Sequence, residues 1–157
     1  MPTNKHDSIV EPIILAATRM EAIANRYIFE PMGLTVASAK VLKMLARSPQ
    51  GVLTPTELVH ATGGTKSNIS QRITFLEKKG LLQRTAGTGF DRRQVAVQLT
   101  RAGKAKVIEI KKRAEQPSAN LAKCFTAKEI AAQLAFFQKL DQVLNRCEKD
   151  LKTCFKA

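Results

Sequence analysis

The 157-residue sequence predicts a mainly α-helical chain with one small β-hairpin, and three observations predict it. Apolar residues recur at three- and four-residue spacing along most of the chain, as one face of a helix requires. Capping-box patterns stand at Ser8–Glu11, Thr54–Glu57 and Thr126–Glu129, each just ahead of such a run. After Gly80 the apolar period falls from 3.6 to 2 over two short segments, then returns to helical spacing beyond Thr100.

Taken in order, the first helix opens at Ser8-Ile9-Val10-Glu11, carries Ile13, Ala17, Met20, Ala24 and Tyr27, and ends at Pro31 and Gly33. A second helix starts after Thr35, turns Val41, Leu42, Leu45 and Ala46 inward, and stops at Ser48-Pro49-Gln50-Gly51. Thr54 is an N-cap with Pro55 at the first helical position. That short helix buries Leu58, with Val59 or Ala61, and breaks at Gly63-Gly64. Thr65 caps a fourth helix reaching about Lys79, with Ile69, Ile73 and Leu76 on one face and Gly80 at the left-handed C-terminal position. Two short helices about a glycine turn form a helix-turn-helix pattern. Leu81 to Thr85 reads as a strand, and Gln94 to Leu99 as its partner, with Val95, Val97 and Leu99 on one face and Gln94, Ala96 and Gln98 on the other. The loop between them, Ala86 to Arg93, makes the hairpin a wing, so the whole reads as a winged helix-turn-helix.

Thr100 caps a further helix running to about Glu115, where Pro117 is expected to interrupt it. In the last helix Ile130, Phe137, Leu144 and Leu151 repeat every seven residues, with Leu140, Cys147 and Cys154 as a companion row. Two such rows make a seam for another helix. A seam within one subunit and a seam between two both fit, and the second is favoured because the winged segment accounts for a core by itself. The expected organisation is a helical dimerisation region, residues 1–33 and 104–157, around a lobe of residues 34–103.

Charge points to the chemistry. Lys and Arg number 26 against 13 acidic residues, a net charge of +13. Residues 1–33 carry −1, residues 34–103 carry +8, and residues 104–157 carry +6. The central excess suits a polyanion, since each neutralised phosphate releases counterions. With Ile69, Ile73 and Leu76 inward, Thr65, Lys66, Ser67, Asn68, Gln71 and Arg72 lie along the N-terminal half of the fourth helix, where a helix in the major groove of double-stranded DNA meets base edges. Asn and Gln suit adenine, Arg and Lys suit guanine, and Ser suits either. Arg84, Asp91, Arg92 and Arg93 complete the candidate DNA contacts. Arginines at a hairpin tip reach the negative potential of a minor groove, and Asp91 is placed to hold Arg93, with Arg92 at phosphate.

Residues 34–103 resemble the MarR family of winged helix-turn-helix regulators. The resemblance rests on Gly33-Leu34-Thr35, Thr56-Glu57-Leu58, Leu76-Glu77-Lys78-Lys79-Gly80-Leu81, Asp91-Arg92-Arg93 and Leu99-Thr100-Arg101-Ala102-Gly103. It implies a homodimer whose N- and C-terminal helices interlock, two lobes on successive major grooves of a palindromic site, and Arg93 in the minor groove behind Asp91. It also implies a transcriptional regulator, a repressor by preference, relieved by a small anionic or phenolic effector between lobe and dimer helices. The sequence departs from the family at Ser38-Ala39, where members often place a polar residue followed by a large aromatic.

Two other readings stand beside this one. A non-specific architectural nucleic-acid binder would also use the basic C-terminal third. A redox-sensing regulator would act through Cys124, which lies beside Lys123 and ahead of the helix start at Thr126; Cys147 and Cys154 sit in an apolar row where a thiol acts as a small hydrophobe. No enzyme is expected, because two distant histidines, no phosphate loop and no paired carboxylates leave nothing to assemble. No cofactor or metal is expected either, and the absence of an apolar span or signal-peptide pattern gives a cytoplasmic, membrane-free expectation.

Overall fold

The computed structural model of the chain describes residues 10–86 and 95–154. The chain forms two compact units, Met1–Ala114 and Glu115–Ala157. In the first, α1 (Val10–Ala24) runs into a π-helical turn, Asn25–Phe29, and a 3-10 turn, Glu30–Met32. There follow α2 (Val36–Arg47), β1 (Val52–Leu53), α3 (Pro55–Thr62), α4 (Lys66–Lys78), β2 (Leu82–Ala86), β3 (Val95–Leu99) and α5 (Arg101–Ala122), which extends past the boundary. The second unit holds α6 (Ala127–Cys154).

Local chemistry fixes most of these ends. Thr35 accepts from the Ser38 backbone N–H at 3.1 Å while Ser38 Oγ accepts from the Thr35 N–H at 2.9 Å, closing the start of α2. Ser38 itself is buried, and this reciprocal pair satisfies it. Asn25 Oδ1 accepts from the Val36 N–H at 2.7 Å, so the π turn supplies a second cap to α2. The Thr54–Glu57 box opens α3, and Gly63, at φ 68°, closes it. At the end of α4 the Leu81 N–H donates to the Leu76 carbonyl and the Gly80 N–H to the Glu77 carbonyl, with Leu76 and Leu81 both buried. That pairing of bonds and apolar contact is a Schellman motif.

The sheet is antiparallel with order β1-β3-β2, and β2 and β3 pair from Leu82↔Leu99 to Ala86↔Val95. Its buried residues join the helices in one cluster containing Val41, Leu42, Leu45, Leu58, Ile69, Ile73, Leu76, Val97 and Ile110. The Leu99-Thr100-Arg101-Ala102-Gly103 segment is the splice between sheet and α5. Thr100 Oγ1 donates to the Gly80 carbonyl at 2.7 Å and accepts from the Gly103 N–H at 3.0 Å. A Cβ at Gly103 would stand 2.0 Å from the Leu81 carbonyl oxygen, so only glycine allows this approach.

Several expectations need correction. The hairpin is part of a three-stranded sheet, because β1 pairs Val52 with Gln98 and Leu53 with Val97; two residues are too few to show a period. Strict alternation fails in β3, where Ala96 is buried and Val95 exposed. β3 is the middle strand, and Ala96 is small enough to be covered on its face. Ala46 is exposed, not inward. Helix α5 continues through Pro117 to Ala122, since proline forfeits one hydrogen bond and the remaining ladder holds the helix on either side. Cys147 is exposed, as is Cys124. The Ser8–Glu11 capping box begins outside the described residues.

Candidate nucleic-acid interface

The α3–turn–α4 unit is held from behind by apolar burial and at its ends by caps. Ile69, Ile73 and Leu76 pin α4 to the core, each essentially without solvent contact. Thr65 Oγ1 accepts from the Asn68 N–H at 3.2 Å, which places the start of α4 at Lys66. With one face fixed, Thr65, Lys66, Ser67, Asn68 and Gln71 are exposed as the sequence predicts, and Arg72 is half-buried.

Arg84, on β2, is exposed and donates from Nε to Glu77 Oε2 at 3.2 Å, tying the strand that leads to the wing to α4. Asp91, Arg92 and Arg93 lie outside the described residues. Arg84 is thus tied to the C-terminal half of α4, while the other described candidates lie along its N-terminal half.

Sequence reading missed what surrounds Arg72. A cavity of about 330 Å³ is bounded by Glu21 of α1, Val36 and Lys40 of α2, Thr65 of the turn, and Asn68 and Arg72 of α4. Lys40 Nζ donates to the Thr62 carbonyl at 2.7 Å, placing a cation at the C-terminal end of α3, where the helix dipole favours one. Two cations and one carboxylate thus border the cavity. No periodicity carries this, because Glu21, Lys40 and Arg72 belong to three helices.

Among the groups at the lobe, Glu57 is held below the ordinary glutamate range, first by the Thr54 backbone N–H and then by the Thr54 hydroxyl, while burial opposes weakly. Among the described residues no group of three His, Cys, Asp or Glu could hold a metal ion, and no helix is long and apolar enough to cross a membrane.

The MarR family model matches residues 32–94, which begin at the last residue of the 3-10 turn and include α2, β1, α3, α4 and β2. The fold of BpsR from Bordetella bronchiseptica matches over 90% of this chain and 98% of that one, with TM-score 0.75 and 27% identity. Over residues 32–94, and in its fold, the chain is similar to the MarR family. A mutant of MarR from E. coli, solved in complex with operator DNA, matches over 84% of this chain and 92% of that one, at TM-score 0.74 and 25% identity. In sequence, the chain is 30% identical over 89 residues to the HTH-type transcriptional repressor YetL of Bacillus subtilis. That alignment covers 57% of this chain and 52% of YetL, about half the length of the curated relative.

Proposed function

We propose that this chain is a member of the MarR family and a sequence-specific DNA-binding transcriptional regulator, a repressor, that acts as a homodimer on a palindromic site. The observation that carries the reading is α4. Its apolar side is sealed into the core, its exposed N-terminal half is polar, and it sits in a segment of net charge +8. Such a helix fits a major groove, with the wing residues Asp91, Arg92 and Arg93 at the adjacent minor groove. The operator complex of the E. coli relative and the repressor name of YetL support the same reading. Residues 34–103 are the DNA-binding lobe in this proposal, and residues 1–33 and 104–157 the dimerisation region.

Selection of bound sequences from a random duplex pool tests it. A palindrome with half-sites about one helical turn apart is the expected result. A titration of salt on selected and random duplexes then separates regulation from architectural binding: equal affinities for both would overturn the specific reading.

An effector site is part of the proposal. Regulation of DNA binding by 6-hydroxynicotinic acid in BpsR supports a small aromatic acid as the ligand class. The cavity bordered by Lys40 and Arg72 offers two cations to a carboxylate. Isothermal titration with such acids checks this, and loss of the heat in Lys40→Ala is the expected outcome.

A further inference from the structure

We propose that α4 is divided lengthwise, with Ser67, Gln71 and Thr74 forming the ridge that reads bases and Asn68 and Arg72 committed to the neighbouring cavity. The inference rests on the DNA-binding reading above and specifies which residues perform it.

The division follows from helix geometry and from what each flank touches. At about 100° per residue, the inward direction set by Ile69, Ile73 and Leu76 leaves Ser67, Gln71 and Thr74 within about 50° of the opposite, outward direction. On the same wheel Asn68 is turned about 75° and Arg72 about 115° toward one side. That side is where the cavity lies, and both residues border it together with Glu21 and Lys40. Arg72 is half-buried, as is Thr74 on the ridge, so the wheel and the cavity lining carry the division. Farther along the same flank, Lys79 Nζ stands 5.2 Å from the centroid of the Phe75 ring. The opposite flank is occupied as well, since Glu77 holds Arg84 of β2. Each flank thus has contacts of its own, and the ridge between them faces a groove that approaches α4 head-on.

The ridge carries the right groups. Gln71 offers a bidentate amide suited to adenine, Ser67 a hydroxyl that donates or accepts, and Thr74 a hydroxyl with a methyl that packs on thymine. Arg72, by type the strongest guanine reader on the helix, is turned away from this task. A ligand in the cavity would therefore touch the reading helix directly while leaving its base-reading ridge uncovered.

The test repeats the random-pool selection with five variants of the full chain. Ser67→Ala, Gln71→Ala and Thr74→Val each relax preference at one or two base pairs per half-site, lowering discrimination there by roughly five- to a hundredfold. Asn68→Ala and Arg72→Gln recover the wild-type motif, Arg72→Gln with lower affinity for every sequence because a cation is lost. Relaxed preference in Asn68→Ala or Arg72→Gln, alongside an unchanged motif in Gln71→Ala and Thr74→Val, overturns the division while leaving DNA binding intact. A wild-type protein that selects no motif overturns the DNA reading itself, and the division with it. Circular dichroism of each variant confirms the fold, and Ser67 and Gln71 are exposed positions that support no core.

Discussion

The winged lobe and the helices α1 and α6 dispose of their apolar residues in opposite ways. In the lobe, Leu42, Leu45, Leu58 and Leu76 have no exposed surface, and every helix that contributes to the core is capped. In α1 no residue is buried, and Ile14, Leu15, Met20 and Ile23 all stand more than half exposed. Within α6, Leu134, Phe137 and Leu144 do the same. A lone chain gains nothing from leaving such side chains in water, at roughly 25 cal/mol per Å² of apolar area. The contrast separates residues that fold one chain from residues whose burial calls for another surface. We assign that surface to a second copy, consistent with the proposed homodimer.

Mutations sharpen or break this contrast. Leu42→Ala is expected to cost about 2–5 kcal/mol in denaturant unfolding, because it opens a cavity in a sealed core. Leu144→Asp should leave the lobe's unfolding transition intact and instead weaken self-association, about a hundredfold or more, since burying an unpaired carboxylate costs several kcal/mol. Sedimentation at micromolar concentration measures it, and an unchanged dimer would place the seam elsewhere.

Gly103→Ala tests the splice between the sheet and α5. Its methyl would meet the Leu81 carbonyl at 2.0 Å, so backbone must shift, at about 1–3 kcal/mol in a thermal melt. Thr54→Ala removes the cap of α3 and is expected to cost about 0.5–2 kcal/mol. The smallest effect is the pH dependence of the same box. The Glu57 carboxyl titrates lower in the folded chain than in the unfolded one, so its stabilisation is present above the ordinary glutamate range and lost as pH falls through the depressed folded value. Glu57→Gln should flatten the acid limb of melting temperature against pH, and an unaltered limb would remove Glu57 from the account. Being exposed to water, the group moves that limb only slightly.

Elements were legible where a local rule sets them. Thr35, Thr54, Thr65 and Thr126 mark helix starts because a side-chain oxygen meets the third backbone N–H, a contact within four residues of chain. Gly63 and Gly80 mark ends because the left-handed backbone there suits glycine, and both adopt φ 68°. The sequence was silent on β1, whose two residues pair only once β3 is beside them. It misplaced Val95, Ala46 and the end of α5, where the neighbours, not the period, decide burial and length. For the interface, the exposed half of α4 was readable from Ile69, Ile73 and Leu76 alone, while the setting of Arg72 was not.

Sequence by itself thus determined the helix-turn-helix with its caps, the wing strands, the excess of positive charge and the resemblance to the MarR family, since each is carried by short-range rules or contiguous motifs. Tertiary structure decided which polar residues on α4 have company. Glu21, Lys40 and Arg72 lie 51 positions apart along the chain at the extremes and border one cavity only because α1, α2 and α4 pack in one unit. It also decided that the apolar stripes of α1 and α6 remain uncovered, because exposure depends on what packs against a face and the spacing of its residues does not record that.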